Sequence, residues 1–268
     1  MKKTILPALA MLIVAAVMLS TASYAWFAMS TSVSAQNMTV SIKSDSSYLL
    51  ISDAAFTTTA AAKTSVDFDD DATPLLPVTF NDASDLTAAS FAGSNTWYDR
   101  VAANSSASTA PDQINGEANI NYIATADLGK YVYTETVYIA VSEESNALGA
   151  LRVSSVNFVT AGGDTYRDAI NVVVVSTYKN ANGETVSVYQ RFCADDVEKA
   201  SLTKSWGTIS NGTALAPSVP QCDTANIKVD IHIFFNGDHD SIFTDNLPNL
   251  DGDSSINVYF TADVAPAN

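Results

Sequence analysis

Few residues in this chain are suited to chemistry. His232 and His239 are its only histidines, the side chains that ordinarily serve as bases near neutral pH. His239 lies in "NGDHDSIFTDNL", a turn crowded with oxygen ligands: Asn236, Asp238, Asp240, Asp245 and Asn246. Hard cations such as Ca2+ take carboxylate and carbonyl oxygens from loops of this kind, which makes Asp238, Asp240 and Asp245 the candidate metal ligands. "NLDGDSS", with Asp251 and Asp253, is a second such stretch. Neither has helix-loop-helix calcium-loop spacing, and acidic turns in an acidic protein are ordinarily just solvated. His232 alternates with Lys228 and Asp230 on the polar side of an apolar strand pattern and reads as a solvated side chain. "DFDDDA", from Asp67 to Ala72, reads as a hydrated loop.

The two cysteines, Cys193 and Cys222, stand 29 positions apart, one ending a strand pattern and the other preceding one. In an exported protein they are candidates for a disulfide, which would stabilise the fold by roughly 3 to 4 kcal/mol on the chain-entropy model. Two buried thiols, or a nucleophile without a neighbouring histidine, are the rival readings. Trp97, Tyr98 and Arg100 could line a carbohydrate-binding face; the ordinary alternative is a hydrophobic plug beneath a long loop. The sequence carries no G-x-S-x-G elbow, phosphate loop, G-x-G-x-x-G or H-E-x-x-H pattern. A non-enzymatic role with no required cofactor is therefore expected.

The elements that must position these residues are strands. "IKVDIHIFF" sets Ile227, Val229, Ile231, Ile233 and Phe235 on one face, against Lys228, Asp230 and His232 on the other. "INVYFTADV" and "ETVYIAV" alternate in the same way through Ile256, Val258 and Phe260, and through Val137, Ile139 and Val141. A β-branched run from Asn171 to Thr177 meets Asn182-Gly183 and then a second alternating run, which predicts a tight hairpin. In "LRVSSVNFV" the apolar parity switches between Val153 and Val156, which predicts a bulge or break near Ser154-Ser155. Residues 52–127 are rich in Ala, Ser, Thr, Asn and Asp and read as long loops, short strands and one helix at most. The expected fold is all-β: a jelly-roll-like antiparallel β-sandwich with long decorating loops, forming one domain over residues 26–268.

Ahead of that domain, Lys2 and Lys3, the apolar run Ile5 to Leu19 and the small residues of Ser23-Tyr24-Ala25 read as a signal peptide over residues 1–25. Signal peptidase would cut after Ala25, and the protein is expected to be secreted to the extracellular cell surface. The uncharged run from Ile5 to Met29 is long enough to span a bilayer, so the chain meets the membrane only if this helix is retained as an anchor. Across 268 residues, 13 basic and 29 acidic side chains give a net charge of −16. Cleavage removes Lys2 and Lys3 but no acid, leaving −18. Nucleic acid as a partner is thereby excluded.

Three stretches carry a family resemblance. "SYAWFAMSTSVSAQNMTVSI" after an apolar leader, "YLLIS", and the C-terminal "VDIHIFFNGDHDSIFTDNL" with "INVYFTAD" resemble the TasA/camelysin family of exported proteins. The match covers the first fifty and the last forty residues most clearly. It implies a jelly-roll sandwich, secretion, and assembly into biofilm-matrix fibres in which the N-terminal strand of one subunit completes the sheet of the next. Camelysin also implies a metal-dependent protease activity, for which this sequence has no recognisable zinc site.

The residues themselves give that implication a physical form. From Phe27 to Ala35 the apolar parity is odd (Phe27, Met29, Val33, Ala35), whereas Met38, Val40 and Ile42 are even. The change falls at Gln36-Asn37, so one continuous strand could not keep both sets inward. Met38 to Ile42 is expected to lie in the subunit's own sheet. Trp26, Phe27, Met29, Val33 and Ala35 would then form a donor segment within residues 26–37, hinged at Gln36 and Asn37, which pairs head to tail with another copy. Rival readings are a monomeric surface adhesin or carbohydrate-binding module using the loops of 52–127, and an extracellular metalloprotease.

Overall fold

The alternating runs fold as strands, and the apolar face of each turns toward a shared interior. The computed structural model describes residues 38–44, 49–70, 75–80, 88–92, 96–99, 122–160, 169–193, 214–237, 239 and 254–263. Among them, one sheet has four strands in the order β3 (Ser65–Asp70), β1 (Met38–Ser44), β11 (Ser254–Ala262) and β7 (Leu151–Thr160). A second has five, in the order β2 (Leu49–Ser52), β6 (Tyr133–Val141), β10 (Ile227–Phe235), β8 (Ile170–Lys179) and β9 (Thr185–Cys193). The two meet face to face: Ile256, Val258, Phe260, Leu151 and Val153 from the first sheet join one core cluster with Ile51, Val137, Ile139, Val172, Val174 and Ile231 from the second. The molecule is thus all-β and sandwich-like, with almost every strand pair antiparallel.

One pair departs from the antiparallel expectation. β1 runs parallel to β11 from Thr39↔Ser255 to Ser44↔Phe260, while pairing antiparallel with β3 on its other side. A parallel pair cannot be joined by a tight turn, and these strands stand at opposite ends of the described chain, so no such turn is required. As the parity of Met38, Val40 and Ile42 requires, the segment belongs to the subunit's own sheet. The aspartate-rich stretch beside it is a correction. Asp67 to Asp70 is not a hydrated loop but part of β3, with Asp67 opposite Ser41 and Asp70 opposite Met38.

Local irregularities fall where the sequence places them. β7 and β11 lose register between Tyr259↔Ser155 and Phe260↔Val153, so Ser154 is the extra residue of a bulge. Leu151 and Val153 on one side of the bulge, and Val156 and Phe158 on the other, can therefore all contact the same core. The β8–β9 hairpin closes through Asn180: its carbonyl accepts from Gly183 N (2.9 Å), and its Oδ1 accepts from Asn182 N (2.9 Å) and Glu184 N (3.0 Å). Gly183 takes φ +79°, a left-handed conformation that costs glycine little.

The larger correction concerns the polar face of β10. His232 is not solvated: it is 3% exposed, and Phe234 beside it is 1% exposed. The segment expected to decorate the sandwich contributes a third layer over this face. The hairpin β4 (Val78–Phe80) and β5 (Trp97–Asp99), the one-turn helix α1 (Ala88–Phe91), and Ile123 and Val132 pack a second apolar cluster against Val173, Val175 and Phe234. Trp97 is its centre, fully buried, with Nε1–H donating to the Phe91 carbonyl (2.9 Å) and its ring edge-to-face with Phe234 at 5.0 Å. His232 is stacked on Phe91 at 5.5 Å. Its Nδ1 is 2.9 Å from Thr134 Oγ1, and its Nε2 has no hydrogen-bond partner among the described residues.

Two outcomes are expected. Trp97→Ala empties the third layer and should destabilise the protein by about 3 to 5 kcal/mol, read by denaturant unfolding. Burial, opposed by Asp230, lowers the His232 pKa from 6.5 to about 4. The folded state thus holds a neutral imidazole that the unfolded chain protonates more readily. Its stabilising contribution is complete above pH 6.5 and is lost as pH falls toward 4, on the order of 3 kcal/mol. Melting temperatures of the protein and of His232→Gln, compared from pH 7 to pH 4, should converge on the acid side.

Candidate functional site

Several residues singled out in the sequence lie outside the described ones: the leader 1–25, donor residues Trp26, Phe27, Met29, Val33 and Ala35, the hinge Gln36 and Asn37, and the acidic residues Asp238, Asp240 and Asp245. No group of three His, Cys, Asp or Glu side chains among the described residues is placed to hold a metal ion. His239 is half-buried, and its backbone N–H donates to the Asn236 carbonyl at 3.1 Å.

One pair of alternatives is decided and one expectation is overturned. Trp97, being fully buried, presents no face on which a sugar could stack; the hydrophobic-plug alternative is the one observed. Cys193 and Cys222 are not joined but remain separate buried thiols. Cys193 ends β9 opposite Asn171, which in turn pairs with Phe234 near the end of β10. Cys222 N donates to the Val141 carbonyl, at the Ile227 end of β10 and on the far side of the sheet. Seven residues of strand separate those levels, about 20 Å, whereas a disulfide needs Cα atoms within about 7 Å.

What remains as a site is the backbone itself, at the four edges of the two larger sheets. A strand edge is a row of N–H and C=O groups that will pair with any extended chain unless it is covered or charged. The β2 edge is covered. Residues 53–63 fold back so that Ile51 and Lys63 exchange hydrogen bonds (2.8 and 2.9 Å), and Phe56 packs over Ala140 and Cys222. Glu143 fastens this flap: its Oε2 accepts from Thr59 N (2.9 Å), from the Thr59 hydroxyl and from Cys222 Sγ (3.2 Å). Those bonds, the Thr59 hydroxyl first, hold the Glu143 carboxyl down to about 2, so the clasp keeps its charge throughout ordinary pH. Burial, reinforced by Glu143, pushes the Cys222 thiol above its usual range, which keeps it protonated and poorly nucleophilic.

The other three edges differ in charge. β3 carries Asp67, Asp69 and Asp70. β7 from Val153 to Thr160 carries no charge at all. Its Leu151 end is closed by Leu215 and Ala216, through Leu215 N to Leu151 O (2.7 Å) and Leu151 N to Ala216 O (2.9 Å). Beside Ser155–Thr160, on the side away from β11, no strand lies among the described residues. β9, the outermost strand of the five-stranded sheet, is uncharged from Thr185 to Gln190 and carries Arg191 alone.

Compared with known proteins, the chain matches no family profile, no curated protein and no solved structure. Sequence reasoning missed the Glu143 clasp, because Thr59, Glu143 and Cys222 are brought together only by the fold. It also missed β7 as an edge. The uncharged run "VSSVNFVT" gave no sign of it, since edges left open to water usually carry charge. For the cysteines, reducing agent should leave the melting temperature unchanged, and both thiols should react with a thiol reagent only after unfolding. A mobility shift on reduction of the denatured monomer would contradict two separate thiols.

Proposed function

We propose that this protein is a secreted subunit of an extracellular, pilus-like or biofilm-matrix filament, assembled when residues 26–35 of one copy add a strand to the sheet of the next. The observation that carries this reading is the placement of β1. Both of its flanks are taken, by β3 and β11, so the uncharged ribbon ahead of Met38 has no vacant backbone partner on β1 itself. A segment with odd apolar parity, no charge and no home on the adjoining strand is suited to β-strand addition, in which backbone bonds give affinity and alternate side chains give direction. Such head-to-tail contact does not close, and it extends into a filament.

The TasA/camelysin resemblance agrees with this reading, as do the strand crossings. The chain passes from one sheet to the other between β1 and β2, β2 and β3, β6 and β7, β7 and β8, and β10 and β11, which supports a jelly-roll form of the sandwich. Export would follow signal peptidase cleavage after Ala25. A carbohydrate-binding role loses its candidate platform with Trp97 buried, and no observation favours the protease alternative.

Deleting residues 26–35 from the mature chain should abolish filaments in negative-stain micrographs and leave a monomer with an unchanged far-ultraviolet spectrum. Filaments of undiminished abundance would refute the proposal.

A further inference from the structure

We propose that His232 is the latch of an acid-operated release: protonating its imidazole undocks the third layer, built on β4, β5 and α1, from the reverse face of β8 and β10, while the sandwich beneath stays folded. The release belongs to the single chain and does not depend on the filament reading.

The imidazole lies at the joint between the two bodies. His232 belongs to the row Thr134, His232, Val173 and Arg191 that crosses β6, β10, β8 and β9. From the layer above, Phe91 stacks on its ring with planes 20° apart, and the Trp97 ring stands 6.3 Å away. Nδ1 meets the Thr134 hydroxyl, whereas Nε2 is buried with no partner among the described residues. A neutral ring leaves one nitrogen unsatisfied. A protonated ring brings a full charge and a second N–H donor into a place only 3% exposed. Burial accordingly lowers its pKa from 6.5 to about 4.

The charges around the ring do not reverse this. Those that act on it are Asp230, which attracts, and Lys228, which repels. Asp230 already holds Lys228 Nζ at 2.7 Å and accepts from Thr136, so its attraction is shared. β8 presents Val173 and Val175, and β9 presents Tyr189 and a second cation, Arg191, whose Nε donates to Asn171 Oδ1 at 2.5 Å. On β6, Glu135 accepts from the Tyr133 hydroxyl at 2.6 Å. Among the elements above, α1 is uncharged, β5 ends in Asp99, and the turn Thr125–Lys130 pairs Asp127 with Lys130 at 2.6 Å.

The layer is attached in a way that lets it leave alone. It is one excursion of the chain between β3 and β6, and its apolar cluster is separate from the core between the two sheets. β4 pairs with β5, Ile123 N donates to the Trp97 carbonyl (2.9 Å) and Leu76 N to the Lys130 carbonyl (2.8 Å), which ties the layer to itself. Gly237 N, just past β10, donates to the Val78 carbonyl (3.1 Å) and joins it to the sandwich. A unit of this kind opens locally, below the cost of global unfolding. The released form hydrates His232 and binds its proton near pH 6.5, whereas the docked form resists protonation until about pH 4. Lowering pH from 7 to 4 therefore favours release on the order of a hundredfold. The face uncovered carries Val173, Val175 and Phe234, an apolar surface presented in acid.

Amide hydrogen exchange on the mature chain at pH 7, 5 and 4, corrected for the intrinsic effect of pH on exchange, tests the release. Protection of Val78–Phe80 and Trp97–Asp99 should fall about a hundredfold between pH 7 and pH 4, while that of β10 and β11 stays within about tenfold. In His232→Gln, which lacks the titrating ring, protection of the third layer should not depend on pH over this range. An equal fall in His232→Gln, a parallel fall in β10 and β11, or no fall in the unmodified chain overturns the proposal. Imidazole proton resonances of the unmodified chain, which has two histidines, give a reading that needs no variant. The His232 signal should titrate well below 6.5 and together with the loss of Trp97 amide protection. Titration near 6.5 with the Trp97 amide still protected would mean that the docked layer tolerates the charged ring, and the proposal fails.

Discussion

Burial of β10 on both faces is the constraint from which the rest of the architecture follows. Ile227, Val229, Ile231, Ile233 and Phe235 fill the space between the sheets, while His232 and Phe234 on the reverse are sealed by Trp97, Phe91 and Val132. A strand buried on both faces needs a layer on each side, which is why the segment between β3 and β6 packs onto the sandwich rather than hanging from it. It also needs its polar side chains satisfied. Thr136 Oγ1 donates to Asp230 Oδ1 at 2.6 Å, and Lys228 Nζ lies 2.7 Å from Asp230 Oδ2. With His232 held neutral by desolvation, the Lys228–Asp230 ion pair lies at the more exposed end of the outer layer.

How much of this could be read from the sequence depended on whether the signal was local. The alternation of β6, β10 and β11, the parity slip at Ser154 and the turn at Gly183 depend on neighbours within a few residues, and all were legible. The third layer was not. The pattern of "IKVDIHIFF" states that one face is apolar, but a histidine and an aspartate on the other face are equally compatible with water and with a covering layer supplied from over a hundred residues away. The same limit explains the cysteines. Spacing and strand position made a bridge reasonable, while the order of strands across the sheet, which no local pattern reports, put them at opposite corners. "DFDDDA" misled for a related reason: an acidic composition argues for hydration, yet an edge strand can be hydrated on one side and still pair through its backbone.

The edges divide into two kinds of protection. β2 is sheltered by covalent continuation of the chain, held by a carboxylate that keeps its charge, and β3 carries its own negative charge. Among the described residues neither device protects β7 over Ser155–Thr160, and β9 carries a single charge, Arg191.

The parallel alignment of β1 with β11 has a mechanical consequence. Tension applied through the residues ahead of Met38 would enter along the axis of a strand bonded on both flanks. Slipping that strand means shearing the bonds to β3 and β11 together, whereas a strand peeled sideways from a free edge yields one bond at a time. Forced unfolding is governed by the height of the barrier rather than by equilibrium stability, and shear raises that barrier. A fold can in this way resist stretching along its length without high thermodynamic stability.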